Sequence, residues 1–333
     1  MLDHERFNQT MQHVLITGGS SGIGLEASLL LANQGHQLTL ICRSEERCDH
    51  IRHLLTAAGV DPERIRCLAM ELADLASVER GCQHLLDQGQ PIDTLVLNAG
   101  QQRAGVSVPV RSAQGIEITF AVNQLAHQRM ASRLMPLLQR AAQPRLVITA
   151  SDVHNPSSGG GRVGKAAGLA DLAGLKRGAG FVMVDGSVRF DGDKAYKDSK
   201  LCNVLLGREL ARQLNNSLPV IAWSPGLVIA KSSEGFFRHN RRSNPLGMSL
   251  FALVARDLLR VTESVERAGQ LLASLSTDPA YAIQGFAYYS NQLIRPGRHR
   301  FGPAETSAEG ADLAKAAQLW QLSEELMNAA FTP

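Results

Sequence analysis

The sequence lacks the features that mark several large classes of protein. Its 333 residues contain 34 Lys and Arg against 31 Asp and Glu, which leaves a net charge of only +3. Nucleic-acid-binding proteins usually present a strongly basic face, so we expect no nucleic-acid partner. No apolar run approaches the roughly 20 residues that a membrane-spanning helix needs. These absences favour a soluble protein that acts on a small molecule.

Cysteine is also scarce. The five cysteines are Cys42, Cys48, Cys67, Cys82 and Cys202. Their odd number and the absence of a Cys-x-x-Cys pair predict free thiols in a reducing compartment. The first residues, MLDHERFNQTMQ, are polar and include two acids, so we expect no signal peptide and a cytoplasmic location. There is no HExxH motif and no Cys/His cluster, so no metal site is expected.

What the sequence does contain is an alternation of short apolar runs with helical stretches. Six apolar runs predict strands: His13–Thr17, Gln37–Cys42, Ile65–Met70, Asp93–Asn98, Arg145–Thr149 and Pro219–Trp223. Between them, helices are predicted at Leu25–Gln34, which Gly35 would close, at Ser44–Ala58, and from Leu75 onward. Strands of this kind belong to a parallel sheet covered on both faces. The predicted fold is therefore α/β, a doubly wound Rossmann domain with helices on both faces of a parallel sheet.

Neither repeats nor a linker interrupt the chain, so we expect one domain spanning residues 1–333. A Gly-, Ser- and Ala-rich stretch at about residues 155–190 predicts an insertion. A second stretch, at about residues 228–260, is expected to form a lid over the substrate. It holds Phe236, Phe237, the basic cluster Arg238, Arg241 and Arg242, and an apolar helix at Leu246–Leu258. The basic cluster fits a solvated loop, a substrate carboxylate or peripheral contact with an acidic membrane surface. The helical C-terminal stretch Ala311–Ala329 is expected to cap the fold.

A glycine-rich run, TGGSSGIG, occupies positions 17–24 directly after the first predicted strand. Gly18, Gly22 and Gly24 would permit a tight turn and close approach of a pyrophosphate to the main chain. The helix that follows offers unpaired N–H groups and a positive dipole end to phosphates. The spacing Gly-x-x-x-Gly-x-Gly differs from the G-x-G-x-x-G of ordinary dehydrogenases. We predict that this run binds a dinucleotide, with Ser20, Ser21 and Ile23 also in contact with it.

The end of the second strand indicates which dinucleotide binds. An acid there would hydrogen-bond the ribose 2′-OH of NAD, whereas an arginine accommodates the 2′-phosphate of NADP. This chain has Arg43 at that place and no acid before Glu45. We therefore expect NADP(H) with Arg43 as the discriminating residue, the alternative being a solvated surface arginine. Glu71 and Leu72, after the third strand, are expected beside the adenine.

Further motifs follow in a fixed order along the chain. They are Asn98-Ala99-Gly100 after the fourth strand, Asn123 in a helical stretch, Ser151 after the fifth strand, Tyr196-Lys197-Asp198-Ser199-Lys200, and Ser224-Pro225-Gly226 after the sixth strand. Together with the glycine run they resemble the short-chain dehydrogenase/reductase family over nearly the whole chain. The resemblance implies further coenzyme contacts from Asn98, Ala99, Gly100, Pro225 and Gly226.

Tyr196 and Lys200 are spaced for proton transfer. They lie four residues apart, which places both on one face of a helix. A free tyrosine has a pKa of about 10, and a nearby cation stabilises the phenolate and lowers that pKa toward the working range. The family resemblance implies that Lys200 also reaches the nicotinamide ribose. It further implies that Ser151 hydrogen-bonds the reacting oxygen and that Asn123 holds a water that relays the proton.

A narrower resemblance is to the light-dependent protochlorophyllide reductases within that family. The stretch Phe190–Asn203 (FDGDKAYKDSKLCN) is similar to theirs, as are Ala170–Leu175 and Leu319–Glu324. The long separation between Ser151 and Tyr196 is a further likeness. The resemblance implies an NADPH-dependent enzyme of chlorophyll biosynthesis that transfers hydride to a bulky apolar substrate, protochlorophyllide.

Two positions depart from the pattern of those reductases where the substrate is expected. Leu227 stands in place of the cysteine after their Pro-Gly pair, and Gly100-Gln101-Gln102 replaces an alanine followed closely by tyrosine. Substrate and light requirement therefore stay open. One alternative is a retinol-dehydrogenase-like enzyme that acts on the carbonyl or alcohol of a lipid or isoprenoid. A further alternative is a non-catalytic NADP-binding protein.

Three other side chains each have two interpretations. Cys202 fits a small buried apolar residue or, by the narrower resemblance, a residue near the substrate. His127 and His154 fit ordinary polar or capping roles, or positions that line the pocket.

Overall fold

The computed structural model describes residues 10–229, 239 and 245–331. Part of the predicted lid, residues 230–238 and 240–244, lies outside these residues. The pair Phe236 and Phe237 and the basic cluster Arg238, Arg241 and Arg242 are among the positions that are not described. The interpretations given for them remain predictions.

Helices and strands alternate along most of the chain. The strands are β1 (His13–Thr17), β2 (Gln37–Cys42), β3 (Ile65–Ala69), β4 (Thr94–Leu97), β5 (Arg145–Thr149), β6 (Pro219–Ser224), β7 (Gly285–Arg295) and β8 (Arg298–Pro303). The helices are α1 (Gly22–Asn33), α2 (Glu45–Ala57), α3 (Leu75–Gln88), α4 (Ala126–Gln139), α5 (Gly192–Gln213), α6 (Pro245–Ala252), α7 (Val265–Thr277) and α8 (Leu313–Ala329). A π-helical turn, Ala121–Leu125, leads directly into α4.

In the described residues the strands form one eight-stranded sheet, in the order β3-β2-β1-β4-β5-β6-β7-β8. Every neighbouring pair is parallel except β7 and β8, which are antiparallel. The strand order reverses on either side of β1, and such a reversal opens a crevice at the carboxyl ends of the strands. The predicted doubly wound fold is confirmed, and this crevice is where its ligand belongs.

The first six strands were predicted, and the last two were missed. Strands β1, β2 and β5 have the predicted bounds, whereas α1 begins earlier than expected, at Gly22. Strand β7 escaped prediction because its last four residues are exposed, which breaks the continuous apolar run of a buried strand. Strand β8 forms the antiparallel edge of the sheet and has no fully buried residue.

Apolar layers cover both faces of the sheet. Val14 and Ile16 of β1 belong to one layer, with side chains of α1, α2 and α7, while Leu15 belongs to the other, with side chains of α3, α4 and α5. This is the alternation that a strand imposes on successive side chains. Because both faces are covered, the strands contain few charged residues. The polar and charged groups that could bind a ligand therefore lie at the ends of the strands.

The stretch at residues 155–190 packs against α5 and α8. Leu169, Leu172 and Phe181 from this stretch join an apolar cluster with side chains of α5 and α8. Cys202 of α5 is fully buried in the same cluster, so it has the small apolar role. The C-terminal helix α8 therefore covers this cluster as the sequence suggested.

Polar contacts from α5 hold the same stretch. Lys197 Nζ donates to the main-chain carbonyls of Gly161 (3.1 Å), Val163 and Lys165 (3.0 Å). The next residue, Asp198, is fully buried and accepts a hydrogen bond from the Gly168 amide (3.0 Å). These contacts come from residues that lie between Tyr196 and Lys200 in the sequence.

Replacing Lys197 by methionine should release residues 161–165, because methionine keeps the apolar stem but cannot donate to three carbonyls. We expect the free energy of unfolding to fall by about 2 kcal/mol. Amide exchange should accelerate in that loop while α5 stays protected, as measured by urea unfolding and hydrogen–deuterium exchange. Lys176→Met, at a lysine that is 43% exposed in the same stretch, is the control and should change neither quantity. Unaltered exchange at 161–165 in Lys197→Met would contradict the assigned role.

Candidate active site

The glycine run forms the turn between β1 and α1. Gly18 (φ 69°) and Gly22 (φ 53°) adopt left-handed conformations that favour glycine. A Cβ on Gly24 would overlap the carbonyl oxygen of Gly18. The side chain of Ser21 does not cap α1, and no acid lies in its first turn. The turn thus leaves an uncapped helix N-terminus, which suits a phosphate, with Ser20, Ser21 and Ile23 partly exposed beside it.

A hydrogen-bond network joins the ends of β1, β4 and β5. Thr17 Oγ1 accepts from the amides of Asn98 (2.9 Å) and Ala99 (3.0 Å), and Thr149 Oγ1 donates to Asn98 Oδ1 (3.1 Å). This network sets the Asn98-Ala99-Gly100 run between the glycine turn and α5. A Cβ on Gly18 would lie 3.0 Å from Ala99 Cα, and one on Gly100 would lie 3.6 Å from the Lys200 amine.

At the other end of the crevice the structure brings Arg43 and Glu71 together. Arg43 Nε lies 3.7 Å from Glu71 Oε2, and the two side chains are 52% and 41% exposed. Exposed pairs of this kind contribute little to stability, so Arg43 remains available to an anion. Leu72 instead packs into the apolar layer on one face of the sheet.

Tyr196, Ser151 and Lys200 meet at the end of β5. The Tyr196 hydroxyl hydrogen-bonds with the Ser151 side chain, and Lys200 Nζ lies 5.7 Å from the centroid of the Tyr196 ring. Lys200 Nζ also donates to the Thr149 carbonyl at 2.7 Å. The helix α5 therefore places hydroxyl and amine on the one face that the four-residue spacing predicts.

Burial controls the ionisation of this pair. It lowers the pKa of Lys200 to about 7. It also raises the pKa of Tyr196, an effect that the hydrogen bond with Ser151 opposes. The sequence suggested a lowered tyrosine pKa because a cation lies nearby. The pKa of Tyr196 is instead raised, because burial disfavours the charged phenolate. The same burial disfavours the charge on Lys200, which weakens the expected stabilisation of the phenolate.

Asn123 lies in the π-helical turn, a feature that often occurs at functional sites. Its side chain accepts from the Gln101 amide (2.9 Å) and donates to the Gln101 carbonyl (3.0 Å) and Ser199 Oγ (3.0 Å). Its main-chain oxygen accepts from Asn203 Nδ2 at 2.6 Å, and Asn203 Oδ1 accepts from Lys200 Nζ at 3.2 Å. Asn203 thus links Lys200 to Asn123. Asn203 is not among the predicted site residues, although its spacing of three residues from Lys200 places it on the same helix face.

The two histidines have structural roles. His127 is buried, with Nε2 3.2 Å from Thr17 Oγ1 and Nδ1 3.2 Å from the Asn123 carbonyl. Burial, and then the charge of Lys200, lower its pKa to about 3, so the ring is neutral. His154 hydrogen-bonds through Nδ1 to the Ser151 carbonyl (2.7 Å) and accepts from the Ser307 amide (3.2 Å).

The turn that carries Ser151 is held by Ser224 of a predicted motif and by two residues of β7 outside the predicted motifs. Asp152 Oδ1 accepts from the Tyr288 hydroxyl (2.8 Å), and its Oδ2 accepts from Ser290 Oγ (2.7 Å). The Asp152 amide donates to Ser224 Oγ at 3.0 Å. Tyr288 and Ser290 belong to β7, so missing that strand also hid what positions Ser151.

The segment after β6 turns sharply at Gly226. This residue has a φ of 80°, and a Cβ there would lie 2.9 Å from the Asn291 carbonyl oxygen. The Pro225 carbonyl accepts from Asn291 Nδ2 at 3.2 Å. Leu227 then packs against a small apolar cluster that includes Ile229 and Ala252. Leu227 thus places an aliphatic side chain where the resemblance to light-dependent protochlorophyllide reductases implies a cysteine.

Three further properties of the described residues concern metal ligands, membrane-spanning helices and thiols. In residues 10–229, 239 and 245–331 no group of three or more His, Cys, Asp or Glu could hold a metal ion. Among the helices of the same residues, none combines the length and the apolar character needed to cross a bilayer. All five cysteines are free thiols.

Comparison with known proteins gives consistent results. The sequence model described as short chain dehydrogenase matches residues 12–163. Protochlorophyllide reductase A, chloroplastic, of Oryza sativa subsp. japonica is 33% identical over 325 residues, which cover 94% of this chain and 80% of that protein. Protochlorophyllide reductase of Avena sativa is 32% identical over 326 residues, 95% of this chain and 100% of that protein. The solved Pseudomonas aeruginosa RhlG/NADP active-site complex shares the fold, with a TM-score of 0.60, 21% identity, and coverage of 86% and 95%.

The lowered pKa of Lys200 predicts how stability depends on pH. With a pKa of about 7 when folded and 10.5 in water, this lysine binds fewer protons in the folded than in the unfolded state between those pH values. The free energy of unfolding should therefore rise above pH 7, by up to about 1.4 kcal/mol per pH unit from this group. Urea unfolding at pH 7, 8 and 9 measures this dependence. The rise in the free energy of unfolding that Lys200 contributes should be present in wild type and in Lys176→Met and absent in Lys200→Met. Parallel curves for wild type and Lys200→Met would contradict the burial effect.

Proposed function

The chain belongs to the short-chain dehydrogenase/reductase family, and we propose that it is an NADPH-dependent reductase of a bulky apolar substrate, with protochlorophyllide as the named candidate. The observation that carries the proposal is the meeting of Tyr196, Ser151 and Lys200 next to an uncapped helix N-terminus. Relatives described as protochlorophyllide reductases, which match over most of this chain, support the choice of substrate.

The residues of the crevice fit NADP(H). When bound, this coenzyme supplies or accepts a hydride at its nicotinamide ring. The N–H groups at the start of α1 would hold the pyrophosphate, and Arg43 would bind the 2′-phosphate. Lys200 would bind the nicotinamide ribose. A related fold solved as a complex with NADP supports this choice.

Tyr196 is the proton donor in this proposal. Burial raises its pKa, so the hydroxyl is protonated at neutral pH. It can donate a proton to the substrate atom that is double-bonded to the carbon receiving hydride, where negative charge develops. Ser151, hydrogen-bonded to the same hydroxyl, orients it. Leu227 carries no exchangeable proton, which leaves this donation to the tyrosine.

Lys200 assists the proton donation by Tyr196 through its N–H groups and its charge. An ammonium group has three N–H donors, and the Thr149 carbonyl and Asn203 Oδ1 take two of them. The third remains for the ribose or the developing phenolate. Because the pKa of Lys200 is about 7, the lysine is partly protonated at neutral pH and can stabilise a phenolate as it forms.

Two features near the site support an apolar substrate. The stretch at residues 155–190 is fixed on α5 by Lys197 and by the cluster that includes Leu172, so its position is tied to the helix that bears Tyr196. Leu227 adds an aliphatic side chain after β6. The same leucine favours a second candidate, a retinol-dehydrogenase-like reaction on an apolar carbonyl or alcohol, because that reaction needs no thiol.

Absorbance spectroscopy of the purified protein with NADPH and protochlorophyllide tests the substrate. We expect a red shift of the pigment band in darkness, followed by conversion to chlorophyllide after a light flash. Leu227→Cys is the matched variant, and it shows whether a thiol at this position alters the yield. Absence of both binding and conversion would exclude the pigment, and oxidation of NADPH with retinal-like or lipid carbonyls would then support the second candidate.

Tyr196→Phe tests the chemistry. The variant keeps the ring but loses the proton, so we expect kcat to fall by about 100-fold or more while the Kd for NADPH stays within about threefold. Tyr281→Phe, at a tyrosine that packs against Tyr289 away from this site, should leave both values unchanged. Full turnover by Tyr196→Phe would contradict the assigned donor. If wild type binds NADPH but reduces none of these substrates, the non-catalytic alternative is favoured.

A further inference from the structure

Arg103 is a cation near the crevice with an unsatisfied donor. It follows the Asn98-Ala99-Gly100 run, and its Nε atom is buried without a hydrogen-bond partner. Burial lowers the pKa of Arg103, the charge of Glu117 raises it, and the charge of Arg43 lowers it again. Buried donors are nearly always paired in proteins, so an orphaned guanidinium nitrogen calls for an explanation.

The backbone that carries Arg103 is held in place by the start of α5. The Gly192 amide donates to the Val106 carbonyl (3.0 Å), and the Gly105 amide donates to Asp193 Oδ2 (3.0 Å). The approach is so close that a Cβ on Gly192 would overlap the Arg103 carbonyl oxygen. Arg103 therefore extends from a fixed loop, which reduces the conformational freedom lost when it binds a ligand.

The acids near the two arginines are engaged elsewhere. The Glu117 carboxylate accepts from the amides of Thr119 (3.0 Å) and Phe120 (2.9 Å), so it serves as a helix cap. Within the part of the chain that the structure describes, Arg43 pairs with Glu71 at 3.7 Å, and both side chains are about half exposed. The charge of Arg43 lowers the pKa of Arg103, so two positive groups lie at one end of the crevice. An anion with more than one negative charge would satisfy both.

The sheet topology indicates which anion this is. Arg43 follows β2, Arg103 lies in the loop after β4, and these two strands flank β1 on either side. Two arginines are therefore positioned on both sides of the glycine turn. We propose that Arg103 and Arg43 together bind the 2′-phosphate of NADP(H), so that Arg103 is a second determinant of coenzyme preference. This inference rests on the proposed function, since it assumes that a dinucleotide occupies the crevice.

The chemistry suits both partners. A phosphate monoester carries nearly two negative charges near neutral pH and offers three acceptor oxygens. A guanidinium group presents several N–H donors in a planar fork that matches phosphate. NADH lacks this phosphate, so it cannot use either arginine in the same way.

Direct binding measurements test the proposal without any turnover. Titration calorimetry with 2′,5′-ADP and 5′-AMP compares adenine ligands that differ in the 2′-phosphate, and fluorescence titration compares NADPH with NADH. We expect Arg103→Gln to raise the Kd values for 2′,5′-ADP and NADPH by about tenfold or more. The Kd values for 5′-AMP and NADH should stay within about twofold of wild type. Arg103→Lys should raise the first two Kd values less, because it keeps the charge.

Arg80→Gln is the control, at an arginine that is 73% exposed on α3. It should change none of the four Kd values.

Several results would overturn the proposal. Equal weakening of NADPH and NADH by Arg103→Gln would assign Arg103 to the pyrophosphate or to the loop structure. Unchanged coenzyme binding together with a raised KM for an anionic substrate would assign it to the substrate. Tight wild-type binding of NADPH that Arg103→Gln does not alter would refute this inference alone. Failure of wild type to bind either coenzyme would refute the proposed function as well.

Discussion

The buried amine of Lys200 is the interaction on which the rest of the site depends. It donates to the Thr149 carbonyl at the end of β5 and to Asn203 on its own helix, and Asn203 in turn holds the carbonyl of Asn123 in the π-helical turn. One side chain therefore ties together a strand, the helix α5 and the segment that leads into α4. Burying a charged group is costly unless it is hydrogen-bonded, so this amine stays buried only while those partners are in place. Its low pKa is a consequence of the same burial.

The helix α5 serves two purposes on two faces. Tyr196, Lys200 and Asn203 lie at intervals of four and three residues, so they share one face of the helix. That face contacts Ser151, Thr149 and Asn123. Lys197 and Asp198, offset from them, hold the stretch at residues 155–190. The middle of the Tyr-Lys-Asp-Ser-Lys motif is thus structural, while its ends contact Ser151 and the Thr149 carbonyl. A shift of this helix would move Tyr196 and the stretch at residues 155–190 together.

The ends of the strands are assembled by polar contacts that cross the sheet. Thr17 joins β1 to the loop after β4, and Asp152 joins the turn after β5 to β7. Those contacts leave the Thr17 hydroxyl and the Asp152 carboxylate hydrogen-bonded within the protein. At the other end of the crevice lie Arg43 and Arg103, where the charge of Arg43 lowers the pKa of Arg103. The crevice therefore runs from the buried cluster of Tyr196, Ser151 and Lys200 to an end with two arginines, which suits a phosphate.

The sequence by itself determined the first six strands, the glycine turn and the shared face of Tyr196 and Lys200. These features follow from residues that are neighbours in the chain, through apolar periodicity, glycine conformation and helical spacing. Only the tertiary structure decided the ionisation of Lys200 and Tyr196, because that depends on burial. It also decided the contacts of Asp152 with Tyr288, which lies 136 residues away, and the placement of Arg103 opposite Arg43 across β1. Strand β7 belongs to the same group: its last four residues are exposed, and it is a strand because β6 and β8 pair with it. Local patterns are encoded in adjacent residues, whereas charge, partner and pocket arise from distances that exist only in the folded chain.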